Sequence, residues 1–266
     1  MTDNDHVPDK TQALNGPAES RRPFNGMGWA YALALATFIL FGVFVVLRQT
    51  QAFNVEALLP YRDDILAGFR RTVWVSVVAL VGSTTLGFLL YLISRSRIRY
   101  FRALTDIFTE IIYGTPLLVM IMIMAFVIGP AFGSTSRAVM GFVGLTVYIS
   151  PYMTNIYKSA ISSIDIEQYM AMDLFGFTPY QRYRYIIIPQ VVRILMPPLM
   201  NNFSLIIKGS ALLNVLSYRE LFYEVQLMTN NNFRFVEGFI LMWLLYLTIT
   251  IPLSQVTKWI DRRWGI

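Results

Sequence analysis

Six long apolar stretches constrain the fold of this chain more than any other feature. They cover residues 29–47, 72–94, 107–129, 138–157, 194–217 and 238–257, and the third is uncharged from residue 111 onward. An α-helix rises about 1.5 Å per residue, so about 20 apolar residues cross a bilayer core about 30 Å thick. Backbone amides inside a membrane must bond within their own segment, which favours helices over the shorter alternating strands of a barrel. We therefore predict an all-α membrane protein with six transmembrane helices.

The composition excludes several classes of function. Hydrophobic residues make up 55% of the chain and charged residues only 14%, whereas about a quarter of a soluble domain is charged. The net charge of +6 could suggest nucleic acid, but the lysines and arginines flank the apolar stretches and do not gather on one solvated face. We expect contact with membrane lipid and no nucleic-acid partner.

Few residues suited to catalysis or metal binding are present. Cysteine is absent and His6 is the single histidine, which excludes disulfides, thiolate metal sites and histidine-based catalysis. No apolar stretch holds a cluster of metal-ligating side chains, and no Gly-x-x-x-x-Gly-Lys-Ser/Thr phosphate loop occurs. We expect a transport subunit and not an enzyme, with no catalytic residue, metal or cofactor of its own. Energy must then come from a partner or a gradient.

The distribution of positive charge predicts the orientation. If the N-terminus lies inside, the inside segments hold 14 lysines and arginines and the outside segments hold 7. This bias places both termini in the cytoplasm and the chain in the inner membrane as a multi-pass protein. Residues 1–28 are too long and too acidic for the start of a signal peptide. We expect them to be a disordered cytoplasmic tail, and we expect 29–47 to be a retained first helix.

The long inside loop, 158–193, has the pattern of two short helices. Asp165 and Gln168 have the spacing of a capping box, which would start the first helix. That helix can run to Phe175 and end at Gly176, a residue suited to the left-handed conformation.

The second loop helix has its own start and stop signals. Thr178 and Gln181 form a second candidate capping box, and Pro179 takes the first helical position, where its missing N–H costs nothing. This helix should stop before Pro189.

The first loop helix has an apolar face. Ile166, Met170 and Leu174 recur at helical spacing, with Tyr169 beside them. On a cytoplasmic loop this face must be covered. Two possibilities remain open: it packs on the chain's own helix ends or the lipid interface, or it docks onto a soluble partner.

The loop resembles that of a known family. The run from Glu167 to Gly176, followed by Ile188-Pro189-Gln190 and Arg193, is similar to the EAA loop of the permease subunits of binding-protein-dependent ABC importers. Three further segments resemble the polar amino acid branch of these MetI-like permeases: 110–118, the group formed by Asn201, 208–212 and Glu220-Leu221, and 246–254. The resemblance covers residues 68–266.

The resemblance implies a fold, a function and partners. The fold would be a five-helix core at 68–266 preceded by one extra helix, and the function would be import of polar amino acids. The partners would be a second permease subunit in a homo- or heterodimer, cytoplasmic ATPase subunits that carry the ATP and magnesium, and an extracytoplasmic solute-binding protein. The coupling residues would be Gln168, Tyr169, Met170, Ala171, Met172, Leu174, Phe175, Gly176 and Pro189. The alternatives are a secondary transporter or channel acting without an ATPase, and a non-transporting membrane assembly protein.

The chain departs from the family pattern at four positions. Met170 replaces the Glu of the EAA triplet, and Tyr113 replaces the Arg before Gly-Thr-Pro. Asn155 and Lys158 stand where the fourth-span pattern carries Glu and Arg. Any ion pair that relatives form with these charges is therefore altered here.

Lys208 is the one charge in the fifth stretch, where it would cost roughly 2.5–3.5 kcal/mol at mid-bilayer. Asn201, Ser204 and Lys208 share one helix face. With Ser210 in the adjoining motif, they are candidates for a substrate pathway or gate. The alternative is a structural lysine satisfied within the bundle, for which Glu237 is a possible partner.

Glycines and prolines mark packing and bends. Gly82, Gly87, Gly141 and Gly144 favour close helix contact. Five prolines should interrupt or bend their helices, namely Pro116, Pro151, Pro197, Pro198 and Pro252.

Overall fold

The computed structural model describes residues 28–48 and 53–264, which fall into two units divided after Phe53. Residues 1–27, expected to form most of the polar tail, lie outside the described residues. The first unit contains helix α1, Gly28–Leu47, in which no residue is buried. It is long and apolar enough to cross a membrane, in agreement with the helix predicted at 29–47.

The second unit is also helical. A short 3₁₀ turn, Glu56–Tyr61, leads into the first of its helices. The helices are α2 (Arg62–Ser94), α3 (Arg99–Tyr113), α4 (Leu117–Ala131), α5 (Arg137–Ser162), α6 (Ile166–Leu174), α7 (Pro179–Leu216), α8 (Leu221–Asn232) and α9 (Phe235–Trp264). No strand occurs in the described residues, so the all-α prediction is confirmed for them.

The number of membrane spans differs from the sequence prediction. Four helices of the described chain are long and apolar enough to cross a membrane, or five if α3 and α4 count as one broken span. The fourth predicted stretch, 138–157, lies in α5. This helix is less apolar than the four candidate spans, because it carries Thr146, Ser150, Thr154 and Asn155. These polar groups are tolerated because α5 is central, packed by α2, α4 and α7.

The third predicted span is not one continuous helix. Helices α3 and α4 meet at an angle of 113°. Gly114 ends α3, and Pro116 stands at the N-cap of α4 with an extended backbone. Proline cannot continue the hydrogen-bond ladder, and it disfavours helix at the residue before it. The stretch 107–129 is therefore two helices, and the predicted interruption at Pro116 is confirmed.

The predicted stop before Pro189 is wrong. Helix α7 continues through this residue, after a widened π-helical turn at Arg182–Ile187. Such a turn relieves the clash between the proline ring and the carbonyl one turn earlier. The Gln190 side chain donates to the Ile186 carbonyl nearby, at 3.0 Å.

Close packing of α2 on α5 forms the centre of the unit. A Cβ added at Gly87 would lie 2.4 Å from the Met153 Cβ, so only glycine fits. Gly141 and Gly144 also bring α5 into close contact with α7 and α4, and the predicted role of these glycines in packing is confirmed. Around them lies the main core, which includes Val75, Ala79, Ile121, Leu145, Ile149, Met153 and Ile206.

A smaller cluster lies at one end of α2 and a groove at the other. Near its start, Ile65 packs with Leu221, Val225 and Met228 of α8. Near its end, Tyr91 shares a groove with residues of α6 and α7. Because a 33-residue helix is about 50 Å long, the 158–193 loop and α8 lie on opposite sides of the unit.

Candidate coupling loop and transport pathway

The first loop helix begins where the sequence predicts, but without the predicted capping box. Asp165 is the N-cap of α6, and its side chain makes no capping hydrogen bond. The Gln168 side chain accepts a hydrogen bond from Gln190 of α7 at 2.9 Å. The hydrogen bond to Gln190 takes the place of the predicted bond between the Gln168 side chain and the helix start.

The end of α6 follows the prediction. Gly176 has a φ of +67°, the left-handed region that favours glycine. The Phe177 amide donates to the Met172 carbonyl at 3.0 Å, and the Gly176 amide donates to the Asp173 backbone carbonyl at 3.1 Å. These two bonds are those of a Schellman motif, and they turn the chain sharply towards α7.

The predicted second capping box is present. The Gln181 amide donates to the Thr178 hydroxyl, and the Thr178 amide donates to the Gln181 side chain. Arg182 forms an ion pair with Asp173 and donates to the Phe177 carbonyl. The corner between α6 and α7 is therefore stabilised by the turn at Gly176 on one side and by the capping box at Thr178 on the other.

Helix α6 has one buried and one open face. Met172 is 3% exposed and packs with Ala160, Ile164, Ile187 and Val191. Gln168 and Tyr169 are half-buried beside it, and Ala171 is exposed. The open apolar side chains are Ile166 (70% exposed), Met170 (57%), Leu174 (85%) and Phe175 (77%). The possibility that this face packs on the chain's own helix ends is thus excluded within the described chain.

The candidate pathway residues on α7 do not all lie together. Asn201 and Lys208 are exposed and Ser204 is half-buried on the same face. Ser210 is fully buried, and its hydroxyl donates to the Ile207 carbonyl at 2.8 Å. It does not share the exposed face of the other three, because two residues of helix turn it to the opposite side from Lys208.

Lys208 does not pair with Glu237. The Glu237 carboxylate accepts from the Asn54 amide and from Arg234. Within residues 53–264 no carboxylate forms an ion pair with Lys208. An exposed lysine on an apolar helix needs water or another chain beside it.

Two departures from the family pattern contact each other directly. The Asn155 side-chain amide donates to the Tyr113 hydroxyl, which donates to the Pro151 carbonyl at 3.4 Å. The Tyr113 ring also packs on Tyr152, with ring centroids 4.8 Å apart. A neutral hydrogen bond therefore joins α3 to α5 where the family pattern has two charges.

A buried carboxylate was missed as a site by the sequence analysis. Glu220 has no exposed surface and accepts hydrogen bonds from Thr72 of α2 and Tyr246 of α9, both at 3.1 Å. Its other oxygen caps α8 by accepting from the Tyr223 amide at 2.9 Å. Burial raises the pKa of Glu220 to about 7, against the opposing effect of these hydrogen bonds. The available signal was its place in the Glu220-Leu221 pair, which resembles a segment of the family pattern.

Comparisons with known proteins agree with this architecture. Residues 83–266 match the family described as binding-protein-dependent transport system inner membrane component. The chain is 30% identical to the probable glutamine ABC transporter permease protein GlnM of Bacillus subtilis (strain 168), over 79% of this chain and 97% of that protein. It is 28% identical to the glutamine transport system permease protein GlnP of Escherichia coli (strain K12), over 80% of this chain and 99% of that protein.

Solved structures give the same result. An amino acid ABC transporter crystallised with histidines is 25% identical, with a TM-score of 0.73 over 80% of this chain and all of that one. The inward-facing MetNI methionine ABC transporter, 17% identical, shares the fold with a TM-score of 0.58 over 76% of this chain and 98% of that one. The chain therefore belongs to the family of binding-protein-dependent transport system inner membrane components, and it is a permease subunit of an ABC importer whose ATPase is a separate subunit.

Proposed function

We propose that this permease carries polar amino acids, delivered by an extracytoplasmic binding protein, across the inner membrane. The curated relatives named above are glutamine permeases, and a neighbouring structure is an amino acid transporter. The neutral Tyr113–Asn155 pair is compatible with an uncharged polar substrate, because it places no fixed charge at the α3–α5 contact.

The open apolar face of α6 carries the coupling part of the proposal. Ile166, Met170, Leu174 and Phe175 are exposed on a helix whose C-terminal end is held by the Gly176 turn and the Thr178–Gln181 capping box. Burying such side chains stabilises a contact by about 1.5–3 kcal/mol each. This face would seat on a cytoplasmic ATPase that binds ATP and magnesium. Gln190, which donates a hydrogen bond to Gln168, would transmit movement of the loop to α7.

The proposed topology has six spans. Helices α3 and α4 count as one broken span, and α5 crosses within the bundle, shielded by its neighbours. The loop 158–193 and both termini lie in the cytoplasm, as favoured by the 14 to 7 bias of positive charge.

The proposed pathway lies along the exposed face of α7. Asn201, Ser204 and Lys208 would meet a second permease subunit, in a homo- or heterodimer, or the water between the two subunits. ATP-driven closure of the ATPase pair would switch that opening between the two sides of the membrane.

The coupling proposal is tested by charging the open face. Leu174→Asp places a carboxylate within the proposed contact, at its most exposed side chain, and desolvating this charge opposes docking. Tagged full-length chain is purified gently from native membranes, and the copurifying ATPase is quantified by mass spectrometry. We expect at least a tenfold loss of the ATPase with this variant.

Tyr100→Asp is the matched control, because Tyr100 is also an exposed apolar residue on the loop side but belongs to α3. It should retain the ATPase. Equal recovery with Leu174→Asp and the native chain would contradict docking through α6.

The substrate is tested separately in proteoliposomes that contain the purified complex. Uptake of labelled glutamine should require ATP on the loop side and binding protein on the other. Uptake without ATP would favour a transporter that acts without an ATPase.

A further inference from the structure

A large groove lies at the loop end of the bundle; it shares Ile166 with the α6 docking face and no residue with the α7 pathway face. It has a volume of about 1180 Å³, above the roughly 300–1,000 Å³ of pockets that hold drug-sized ligands. The ends of α2 and α5, the first half of α6 and the start of α7 form its walls. It therefore opens where membrane helices reach the bilayer surface.

The walls of the groove are mostly apolar. Leu92 of α2, Ile161 of α5, and Ile188, Val192 and Leu195 of α7 line it. Ile188 and Val192 are about half exposed, so the chain leaves part of this apolar surface uncovered. A long hydrocarbon segment would cover it.

The polar part of the groove is positively charged. Arg95, at the end of α2, and Lys158, in the last turns of α5, both line it. No Asp or Glu is among its lining residues, and within residues 53–264 neither cation forms an ion pair with a carboxylate. The groove therefore offers two cations to an anionic group that is not part of the described chain.

Four tyrosines line the same groove as these two cations. Tyr91, Tyr157, Tyr169 and Tyr183 all line the groove, and Phe88 packs edge-on against Tyr157 at 5.2 Å. Tyrosine is enriched at the membrane–water interface, because its ring suits hydrocarbon and its hydroxyl suits the headgroup layer. Together, the two cations suit an anionic headgroup, and the aromatic rings and apolar wall suit a hydrocarbon chain, so one amphiphilic ligand could contact all three.

We propose that this groove binds an anionic phospholipid, with its phosphate between Arg95 and Lys158 and an acyl chain along Ile188 and Val192. A basic pocket between transmembrane helices recognises an anionic headgroup by this chemistry. The bound lipid fills the space between the spans and α6, and so supports the loop from the membrane side. This inference depends on the membrane location of the chain, and not on the identity of its substrate or on the docking of an ATPase.

The absence of cysteine from the chain makes a direct test possible. Val192→Cys, in the full-length chain, carries a bimane fluorophore in the groove. The protein is reconstituted in phosphatidylcholine vesicles that contain doxyl-labelled phosphatidylglycerol or doxyl-labelled phosphatidylcholine. We expect phosphatidylglycerol to quench at a much lower mole fraction than phosphatidylcholine.

The charge requirement is tested in the same labelled protein. Arg95→Gln with Lys158→Gln should lower the preference for phosphatidylglycerol roughly tenfold or more, as expected for removing two cations beside an anionic headgroup. Each single change should lower the preference for phosphatidylglycerol by a smaller factor. The single variants therefore test the proposal even if the double variant does not fold. Arg97→Gln with Arg99→Gln is the matched control: it removes two exposed cations that follow Arg95 closely in the sequence but do not line the groove.

Three results would overturn the proposal. Equal quenching by the two lipids would mean that the groove contacts bulk lipid only. An equal loss in the control would mean that general surface charge attracts the lipid. Absence of quenching, together with disulfide formation between two unlabelled Val192→Cys chains, would mean that a second copy covers the groove.

Discussion

At the scale of single residues, Glu220 is a buried carboxylate that joins α2, α8 and α9. Its pKa is raised from 4.5 to about 7 because burial disfavours the charged form. The folded protein therefore binds the proton more tightly than the unfolded chain does. The contribution of Glu220 to stability should be largest below pH 4.5 and should be lost as the pH rises through about 7, a change of up to about 3 kcal/mol.

Glu220→Gln should remove this dependence. Melting temperature in detergent, measured from pH 4.5 to 8, should be nearly flat for the variant and should fall for the native chain. Glu110→Gln, at an exposed position, is the control and should keep the native slope. An unchanged slope in Glu220→Gln would show that another group titrates in this range.

Gly176 is the residue that fixes the corner after α6. Its φ of +67° costs a residue with a side chain about 1–2 kcal/mol, and a β-branched side chain is the least compatible. Gly176→Val should lower substrate uptake by the reconstituted complex, whereas Gly176→Asn should retain most of it because asparagine tolerates this conformation. Normal uptake with valine would show that coupling does not need this turn.

At the scale of elements, α2 and α5 pack closely because Gly87 lacks a side chain. The added methyl of Gly87→Ala would meet Met153 and the Ser150 carbonyl. The helices must then separate, at a cost of about 1–3 kcal/mol. We expect a lower melting temperature in detergent. Gly42→Ala, in α1, meets nothing within 4 Å and should not lower the melting temperature; equal decreases in the two variants would contradict the proposed packing.

The contact between Tyr113 and Asn155 joins the end of α3 to α5. A double-mutant cycle with Tyr113→Phe and Asn155→Ala should give a coupling energy of about 0.5–1.5 kcal/mol, measured by unfolding in denaturant. Tyr113→Phe combined with Asn201→Ala should be additive, because Asn201 lies on α7 and does not contact Tyr113. Additivity in the first pair would mean that the hydrogen bond does not stabilise the fold.

At the scale of the whole molecule, the two ends of α2 should lie on opposite sides of the membrane. Ser163→Cys lies at the loop end and Asn231→Cys near the end of α8, and both positions are exposed. In cells whose outer envelope has been permeabilised while the inner membrane stays intact, a membrane-impermeant maleimide should label the cysteine at 231. It should label that at 163 only after the inner membrane is permeabilised. The reverse pattern would invert the proposed orientation.

The sequence by itself determined the features that depend on neighbouring residues. The apolar stretches predict helices, since each helix satisfies its own backbone whatever its surroundings. Gly176 and the Thr178–Gln181 box were predictable for the same reason, because their hydrogen bonds connect residues only a few positions apart. The family was recognisable from motifs whose order along the chain is itself local information.

Only the tertiary structure decided which faces are open and which distant residues meet. Thr72 and Glu220 are separated by 148 residues, and Tyr113 and Asn155 by 42, so no local pattern links them. The capping box at Asp165 failed because Gln190 of α7 captures the Gln168 side chain. Ser210 is buried while Lys208 is open because neighbouring helices cover one side of α7 only. Such outcomes depend on the rotation and packing of whole helices, which hydropathy along the chain does not encode.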